Sequence, residues 1–244
     1  MRQLRNLAEL LDYRLLASDG EIDKLKQVFF DDQYWKVRYF VVHTGNWLLG
    51  QEVLIVPSVI TAVDEDKRHL QVNLTCEQIR NCPPVSSEQP VSRHYEQEYH
   101  RYYGWDPYWE GDPLFGPMPG VPLAPADIEP EEPENPHLRS SNEVTGYVIH
   151  AADSEFGHVE DFLLDDQGWS VRYLEIDTRN WLPGKKVLIA PAWIKQIDWS
   201  KSEVEVNMAS DVIKTAPAYD ATRVISREYE VALYKHYGME FDQQ

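Results

Sequence analysis

An internal repeat constrains the fold of this 244-residue chain more than any other feature of its sequence. Residues 12–105 align without a gap on residues 146–239, at an offset of 134 positions, and 33 of the 94 aligned pairs are identical. A period of this length exceeds that of a solenoid unit and matches the size of a small domain. The sequence therefore predicts two tandem copies of one fold, the first copy and the second copy.

The identities concentrate in DDQYWKVRYFVVHTGNWLLGQEVLIVPSVI at 31–60, which aligns with DDQGWSVRYLEIDTRNWLPGKKVLIAPAWI at 165–194. Alternating apolar residues, β-branched runs and short polar turns predict five or six short strands in each copy. Strands of this number favour a small closed or nearly closed barrel, because closure removes exposed strand edges.

A helix is predicted after the strands of each copy, at 92–103 and 226–237. The spacing of Tyr95, Tyr99 and Tyr102 places them on one helical face, which we expect to pack on the strands. The expected fold class is therefore mainly β, of the α+β kind, with a C-terminal helix in each copy.

An acidic, proline-rich segment separates the copies. Residues 106–136 hold nine of the sixteen prolines and eight acidic residues, with no Lys or Arg. Proline removes a backbone donor and like charges repel, so we expect an extended linker. The predicted organisation is a first domain at 1–105, a linker at 106–141 and a second domain at 142–244. The early apolar side chains of the linker are expected to pack against a copy: Tyr108, Trp109, Leu114, Phe115 and Met118.

Composition disfavours several classes of function. The formal net charge is −18, which repels phosphate backbones and argues against a nucleic-acid partner. No apolar run approaches the roughly 20 residues that span a bilayer, and the N-terminal residues do not resemble a signal peptide, so we expect a soluble, cytoplasmic protein. The spacing of Cys76 and Cys82 matches neither a redox pair nor a zinc set, and no cofactor or metal site is expected.

The succession DD-Q-x-W-x-VRY followed by T-x-NWL-x-G-x-x-VLI-x-P, present in both copies, resembles the PRC-barrel family. That family is named for the cytoplasmic domain of the photosynthetic reaction centre H subunit. The resemblance covers about residues 8–83 and 142–217. The second copy has Gly157 where the family pattern favours glycine, whereas the first copy has Asp23. The resemblance implies two small PRC-type barrels in tandem and an adaptor that contacts other proteins, with no catalytic residues to carry over.

Four residues are candidates for an interface. Arg38 and Arg172 lie between apolar neighbours in predicted strands, where a charge must be paired or reach water. An ion pair with the turn carboxylates of the same hairpin, or a bridge between the copies, is favoured over anion binding. Trp47 and Trp181 lie in the loop before the third strand, where they either cover the end of the barrel or bind a partner.

The other polar motifs favour structural roles. Asp31–Asp32 and Asp165–Asp166 are interpreted as hairpin turns and not as paired carboxylates for a cation or for acid–base work. The histidines of the first copy are not repeated in the second and are expected at the surface: His43, His69, His94 and His100. No catalytic motif is recognised.

Our leading hypothesis is a non-enzymatic protein that binds an unidentified protein partner through a composite surface. The two copies are expected to pair about a pseudo-two-fold axis, as an intramolecular pseudo-dimer, and further self-association stays open. The alternative is an accessory factor of a membrane redox or photosynthetic electron-transfer complex that assists proton or quinone traffic. A third hypothesis is an enzyme whose site lies in the cleft between the copies.

Overall fold

The computed structural model describes residues 3–44, 51–83, 85, 91–109, 137–178 and 185–241. Within these ranges the chain forms fourteen strands, six α-helices and two short 3-10 helices, and the strands form two seven-stranded sheets. The expectation of a mainly β fold is confirmed. No helix in the described ranges is both long enough and apolar enough to span a membrane.

Strands precede the last helix in both copies, as the sequence predicts. The first copy contains β2 (Arg14–Ala17), β3 (Gly20–Asp31), β4 (Val37–His43), β5 (Glu52–Ile55), β6 (Ile60–Asp64), β7 (His69–Val72), α2 (Cys76–Arg80) and α3 (Arg93–Tyr103). The second copy contains β9 (Val148–His150), β10 (Glu155–Asp165), β11 (Ser170–Asp177), β12 (Lys186–Ile189), β13 (Ile194–Asp198), β14 (Glu203–Val206), α5 (Ser210–Thr215) and α6 (Arg227–His236).

Each copy is preceded by a short arm of one strand and one helical turn. The N-terminal arm consists of β1 (Leu4–Asn6) and α1 (Leu7–Leu10). The second arm consists of β8 (Leu138–Ser140) and α4 (Ser141–Val144), at the same offset of 134 residues. Most of the second arm lies within the range 106–141 that the sequence assigns to the linker.

The sheets of the two copies have the same topology. The strand order is β5-β4-β3-β2-β7-β6 in the first copy and β12-β11-β10-β9-β14-β13 in the second. Neighbours are antiparallel except for the parallel pairs β2–β7 and β9–β14. Register shifts bend β3, so that its first half pairs with β2 and its second half with β4. Among the described strands, no pairing joins the two ends of either path.

The arms are exchanged between the copies. β1 pairs with β10 of the second copy, where Leu4 lies opposite Asp165. β8 pairs with β3 of the first copy, where Leu138 lies opposite Asp31. The two registers are equivalent under the repeat, which is the reciprocal pattern of an isologous contact. Each seven-stranded sheet therefore contains one strand from the arm that precedes the opposite copy.

β4 is buried along almost its whole length because other parts of the chain cover both of its faces. Tyr39 meets Tyr99 of α3 edge-on, at a centroid distance of 6.4 Å. The next residue, Phe40, points to the opposite face of the sheet and meets Trp169 of the second copy at 4.9 Å. One face of β4 is thus covered by its own helix and the other by the second copy, and the buried side chains on both faces are apolar or aromatic.

The caps of α3 follow from its local sequence. The hydroxyl of Ser92 accepts a hydrogen bond from the Tyr95 backbone N–H at 3.2 Å. Gly104 ends the helix in the left-handed conformation, with φ of 68°, which glycine adopts without a side-chain clash. The helix boundaries are therefore determined by the residues at its ends.

The buried face of α3 differs from the predicted one. Tyr99 is fully buried, but Tyr102 is 41% exposed, and the residues buried beside Tyr99 are Glu96 and His100. The expectation that His100 lies at the surface is wrong. The face is rotated because buried polar partners on the first copy hold Glu96 and His100 inside.

Candidate functional site

The contact between the two copies, which we call the seam, is centred on the turns between β3 and β4 and between β10 and β11. The backbone N–H of Val37 donates to the Trp169 carbonyl at 2.8 Å, and that of Val171 donates to the Trp35 carbonyl at 2.8 Å. Between these bonds, Lys36 and Ser170 form an antiparallel bridge. Equivalent residues thus exchange equivalent bonds.

Both tryptophans at the seam have left-handed backbone conformations, with φ of 55° at Trp35 and 45° at Trp169. This conformation costs a non-glycine residue roughly 1–3 kcal/mol and persists where the surroundings hold it. Here it is held by the reciprocal backbone bonds and by ring contacts, since Trp35 stacks on Phe30 at 5.3 Å and Phe30 meets Phe162 at 5.7 Å. The strain marks the seam as a specific contact.

The first acidic residue of each turn stabilises the turn itself. Asp31 Oδ1 accepts the backbone N–H groups of Gln33 and Tyr34, both at 2.9 Å. Its other oxygen, Oδ2, accepts from Arg38 Nη2 at 3.1 Å. In the second copy, Asp165 Oδ1 accepts the N–H of Gln167 at 2.9 Å. The interpretation of these residues as hairpin turns, and of Arg38 as paired within its own hairpin, is confirmed.

The second acidic residue of each turn binds the exchanged arm. Asp166 Oδ2 accepts from Arg5 Nε at 3.0 Å, and Asp32 Oδ2 accepts from Arg139 Nε at 3.2 Å. Arg5 also reaches Glu65 of the first copy at 2.9 Å. Each arm arginine is therefore fixed by the turn of the opposite copy, and Arg5 additionally bridges the two copies.

Sequence reasoning missed these arginine bridges, although a signal was present. LRNLAEL at 4–10 and LRSSNEV at 138–144 share Leu, Arg and Glu at the offset of the main repeat. Extending the repeat to these residues identifies both arms, but their exchange becomes visible only in the sheet pairings.

Of the four predicted interface residues, the structure describes Arg38 and Arg172. Arg38 lies under the ring of Tyr108, with its guanidinium carbon 4.1 Å from the ring centroid. Arg172 Nε is buried and makes no hydrogen bond within the described part of the chain. Trp47 and Trp181 lie outside the described residues. A role for these four residues in binding a partner stays a prediction.

The early linker residues pack on the first copy, as expected for Tyr108 and Trp109. The Tyr108 hydroxyl donates to Glu96 Oε1 at 2.7 Å, and Trp109 meets the His100 ring at 4.8 Å. The guanidinium of Arg93 lies 4.5 Å from the Trp109 ring centroid. The remaining predicted contacts of the linker, at Leu114, Phe115 and Met118, fall outside the described residues.

A buried tyrosine–carboxylate bond joins each C-terminal helix to its strands. The Tyr39 hydroxyl donates to Glu96 Oε1 at 2.9 Å, and the Tyr173 hydroxyl donates to Glu230 Oε1 at 2.8 Å. Burial raises the pKa of Tyr39 well above its usual range, and the nearby carboxylate of Glu96 adds to the shift. Both pairs lie at equivalent positions of the repeat, so this bond is a shared device for docking the helix.

A second set of buried polar side chains lies where the N-terminal arm contacts the second copy. Asp161 is 7% exposed and Glu175, opposite it on β11, is 1% exposed. Lys186 of β12 donates to Glu175 Oε1 at 2.5 Å and lies 2.9 Å from Glu160 Oε1. Three carboxyl groups and one ammonium thus share one partly dry site, which we call the acidic cluster.

The N-terminal arm caps the acidic cluster. The backbone N–H of Ala8 lies 3.2 Å and 3.1 Å from the two carboxyl oxygens of Asp161. Asn6 Nδ2 donates to Glu175 Oε2 at 3.1 Å. Burial raises the pKa of Asp161 to about 7; the N–H groups of Phe162 and Ala8 oppose this shift, and the charge of Glu175 adds to it. Burial likewise raises the pKa of Glu175, against the hydrogen bond from Lys186.

At the positions equivalent to Asp161 and Glu175, the first copy has neutral groups. The residue equivalent to Asp161 is Gln27, whose Oε1 accepts the Ser140 hydroxyl of the second arm. The hydroxyl of Ser141 accepts the N–H of Val28 at 3.1 Å. The residue equivalent to Glu175 is Val41, which is fully buried. Only the contact of the N-terminal arm therefore carries buried carboxyl groups at these two positions.

A groove adjoins the acidic cluster on the outer side of β1. It consists of two neighbouring cavities of about 240 and 200 Å³, which share Tyr219 and the segment 223–225. Arm residues 3–6 line one wall, and Val224, which is 79% exposed, lies at the rim. The Tyr219 backbone N–H donates to the Lys186 carbonyl at 2.8 Å, which ties this wall to β12.

No group of three or more His, Cys, Asp or Glu side chains within the described ranges is arranged to hold a metal ion. Both cysteines, Cys76 and Cys82, are buried and free. Comparison with known proteins matched no family model and no curated protein.

Proposed function

We propose that this chain is a non-catalytic protein-binding module of two PRC-type barrels, held together as an intramolecular pseudo-dimer and acting in the cytoplasm. The barrels are supported by the bend of β3, which pairs with β2 and β4 in turn, and by the parallel β2–β7 pair that extends the curved path. The pseudo-dimer is supported by the reciprocal exchange of the arms.

The groove beside β1 is the observation that carries the binding function. Its wall at 3–6 is an edge strand, which presents backbone groups that an extended segment of a partner can pair with. Its rim includes Val224, the most exposed large hydrophobic residue in the described ranges. A protein segment with alternating apolar side chains fits an edge strand that lies beside an apolar rim.

The uses of the charged side chains favour a non-catalytic role. The turn aspartates hold backbone N–H groups or arm arginines. Glu96 is occupied by Tyr39, Tyr108 and Arg93. A catalytic group needs access to a substrate, whereas these carboxylates face other parts of the same chain.

The test compares two substitutions of exposed valines in the full chain. Val224→Asp places a charge at the rim of the groove, and Val231→Asp places the same charge on α6, outside both cavities. Each tagged protein is purified after cross-linking from the cells that express it, and the bound proteins are identified by mass spectrometry. We expect a protein that is retained by the wild type and by Val231→Asp but lost from Val224→Asp.

Two outcomes decide against this proposal. Equal retention of every bound protein by both variants contradicts a role for the groove. Turnover of a small molecule by the purified chain, abolished by substitutions in the groove, contradicts the non-catalytic role. A retained partner that is a subunit of a membrane redox complex supports the alternative accessory function.

A further inference from the structure

The acidic cluster cannot hold all its charges without cost. If Asp161, Glu175 and Glu160 are all ionised, one ammonium group, that of Lys186, faces three carboxylates. Burying carboxylates that outnumber their partners is unfavourable, so at least one is favoured in the neutral form. Asp161 is furthest from compensation, because Lys186 contacts Glu175 and Glu160 directly whereas the contacts of Asp161 to the arm are backbone N–H bonds.

We propose that the N-terminal arm, 4–10, is a pH-responsive clasp that binds the second copy tightly when Asp161 is neutral and loosens when Asp161 ionises. The arm contacts these carboxyl groups directly. The Ala8 N–H at the start of α1 donates to the Asp161 carboxyl group, and Asn6 donates to the neighbouring Glu175. The clasp does not rest on the proposed binding function, but the same arm forms one wall of the groove.

The elements around Asp161 carry several polar and titratable groups. They are Glu160 and His158 on β10, Glu175 and Asp177 on β11, Lys186 on β12, Tyr219 in the segment after α5, and Asn6 and Ala8 of the arm. Of these, the Ala8 N–H, Glu175 and Lys186 act on Asp161 directly. Three of these groups are carboxyl groups, as is Asp161 itself, so ionising them as the pH rises adds negative charge to a buried site. Tyr219 does not titrate in the neutral range, because burial raises its pKa to about 12.

The sign follows from the raised pKa of Asp161, about 7 when the arm is bound against an ordinary value near 3.8. Between these two values Asp161 is protonated while the arm is bound and ionised once the arm is released. Binding of the arm is therefore strongest at low pH, weakens as pH rises towards about 7 and levels off above that. A single proton changes the equilibrium by at most about tenfold per pH unit. The second arm lacks this carboxyl group, because at the equivalent positions it contacts Gln27 and Val41; its own titratable contact is that of His137 with Asp32.

Hydrogen–deuterium exchange of the full chain tests the clasp. Protection factors, corrected for the intrinsic pH dependence of exchange, are measured from pH 5.5 to 8.5 for peptides that cover 4–10 and 138–144. We expect the protection of 4–10 to fall by up to about tenfold per pH unit towards a plateau above pH 7, and to fall more than that of 138–144, where the titratable contact is that of His137 with Asp32. Equal pH dependence of the two arms, or none in either, overturns the proposal.

Three substitutions sharpen the assignment. Asp161→Asn keeps an acceptor oxygen for the Ala8 N–H but removes the group that titrates. In this variant the protection of the arm against exchange should be independent of pH. Asp166→Asn is the matched control, since Asp166 holds Gln3 and Arg5 of the same arm; it should lower protection by a similar factor at every pH. Glu175→Gln removes the like charge, and the transition should move to lower pH.

A transition that survives unchanged in Asp161→Asn overturns the role of Asp161. If that variant does not fold, Glu175→Gln still decides, because an unchanged midpoint there contradicts the cluster as the origin of the transition.

Discussion

The bond between Tyr39 and Glu96 gives the sharpest prediction about how the C-terminal helix is held. Glu96 is fully buried, and the Tyr39 hydroxyl donates to its Oε1 at 2.9 Å. Hydrogen bonds to charged groups contribute about 1.5–3 kcal/mol. Tyr39→Phe leaves Glu96 its bonds to Tyr108 and Arg93, so we expect the lower end of that range, about 1.5 kcal/mol, which corresponds to about tenfold in an equilibrium constant.

The repeat provides the matched experiment. Tyr39→Phe should accelerate amide exchange in α3 about tenfold and leave α6 unchanged, whereas Tyr173→Phe should do the reverse. Tyr34→Phe is the control, because Tyr34 is 64% exposed. Exchange in α3 that is the same in Tyr39→Phe as in the wild type would refute the reasoning, since the bond would then contribute nothing to docking the helix.

Two further predictions concern the backbone of β10 and the second arm. Gly157→Ala should destabilise the second copy by about 1–3 kcal/mol in urea unfolding, because the added Cβ would lie 2.2 Å from the Asp177 carbonyl oxygen; Asp23→Ala, at the equivalent position, should be neutral, and equal effects would contradict the clash. Arg139→Ala should cost about 1 kcal/mol and increase exchange in β8, since it removes the ion pair with Asp32; unchanged exchange would contradict a clamping role.

Local sequence was sufficient to predict the repeat, the order of strands and helix, and the chemistry of the turns. The pairing of Arg38 with Asp31 could be anticipated because both belong to one hairpin, seven residues apart. The cap at Ser92 could be anticipated for the same reason. These contacts depend on residues close in sequence, whose separation in space is limited by backbone geometry.

The tertiary structure decided which helix face is buried and how the arms pair. Helical spacing favours Tyr95, Tyr99 and Tyr102 as one apolar face, but Glu96 is buried in place of Tyr102 because Tyr39, 57 residues away, supplies its hydrogen bond. No local pattern identifies such a partner. The sequence does not distinguish a buried carboxylate from an exposed one. Burial is tolerated only where surrounding residues supply hydrogen bonds or an opposite charge.

The repeat and the alternating apolar residues are enough to predict two copies of one mainly β fold, whereas the exchange of the arms across the seam is visible only in the strand pairings of the folded chain. Asp161 illustrates the difference. Its chemistry is set by Ala8, 153 residues away, and by Glu175 on the next strand, and these groups meet only when the sheet and the arm have assembled. A repeat and the local propensities can be recognised from neighbouring residues in the sequence, whereas desolvation and charge pairing arise from contacts between distant residues.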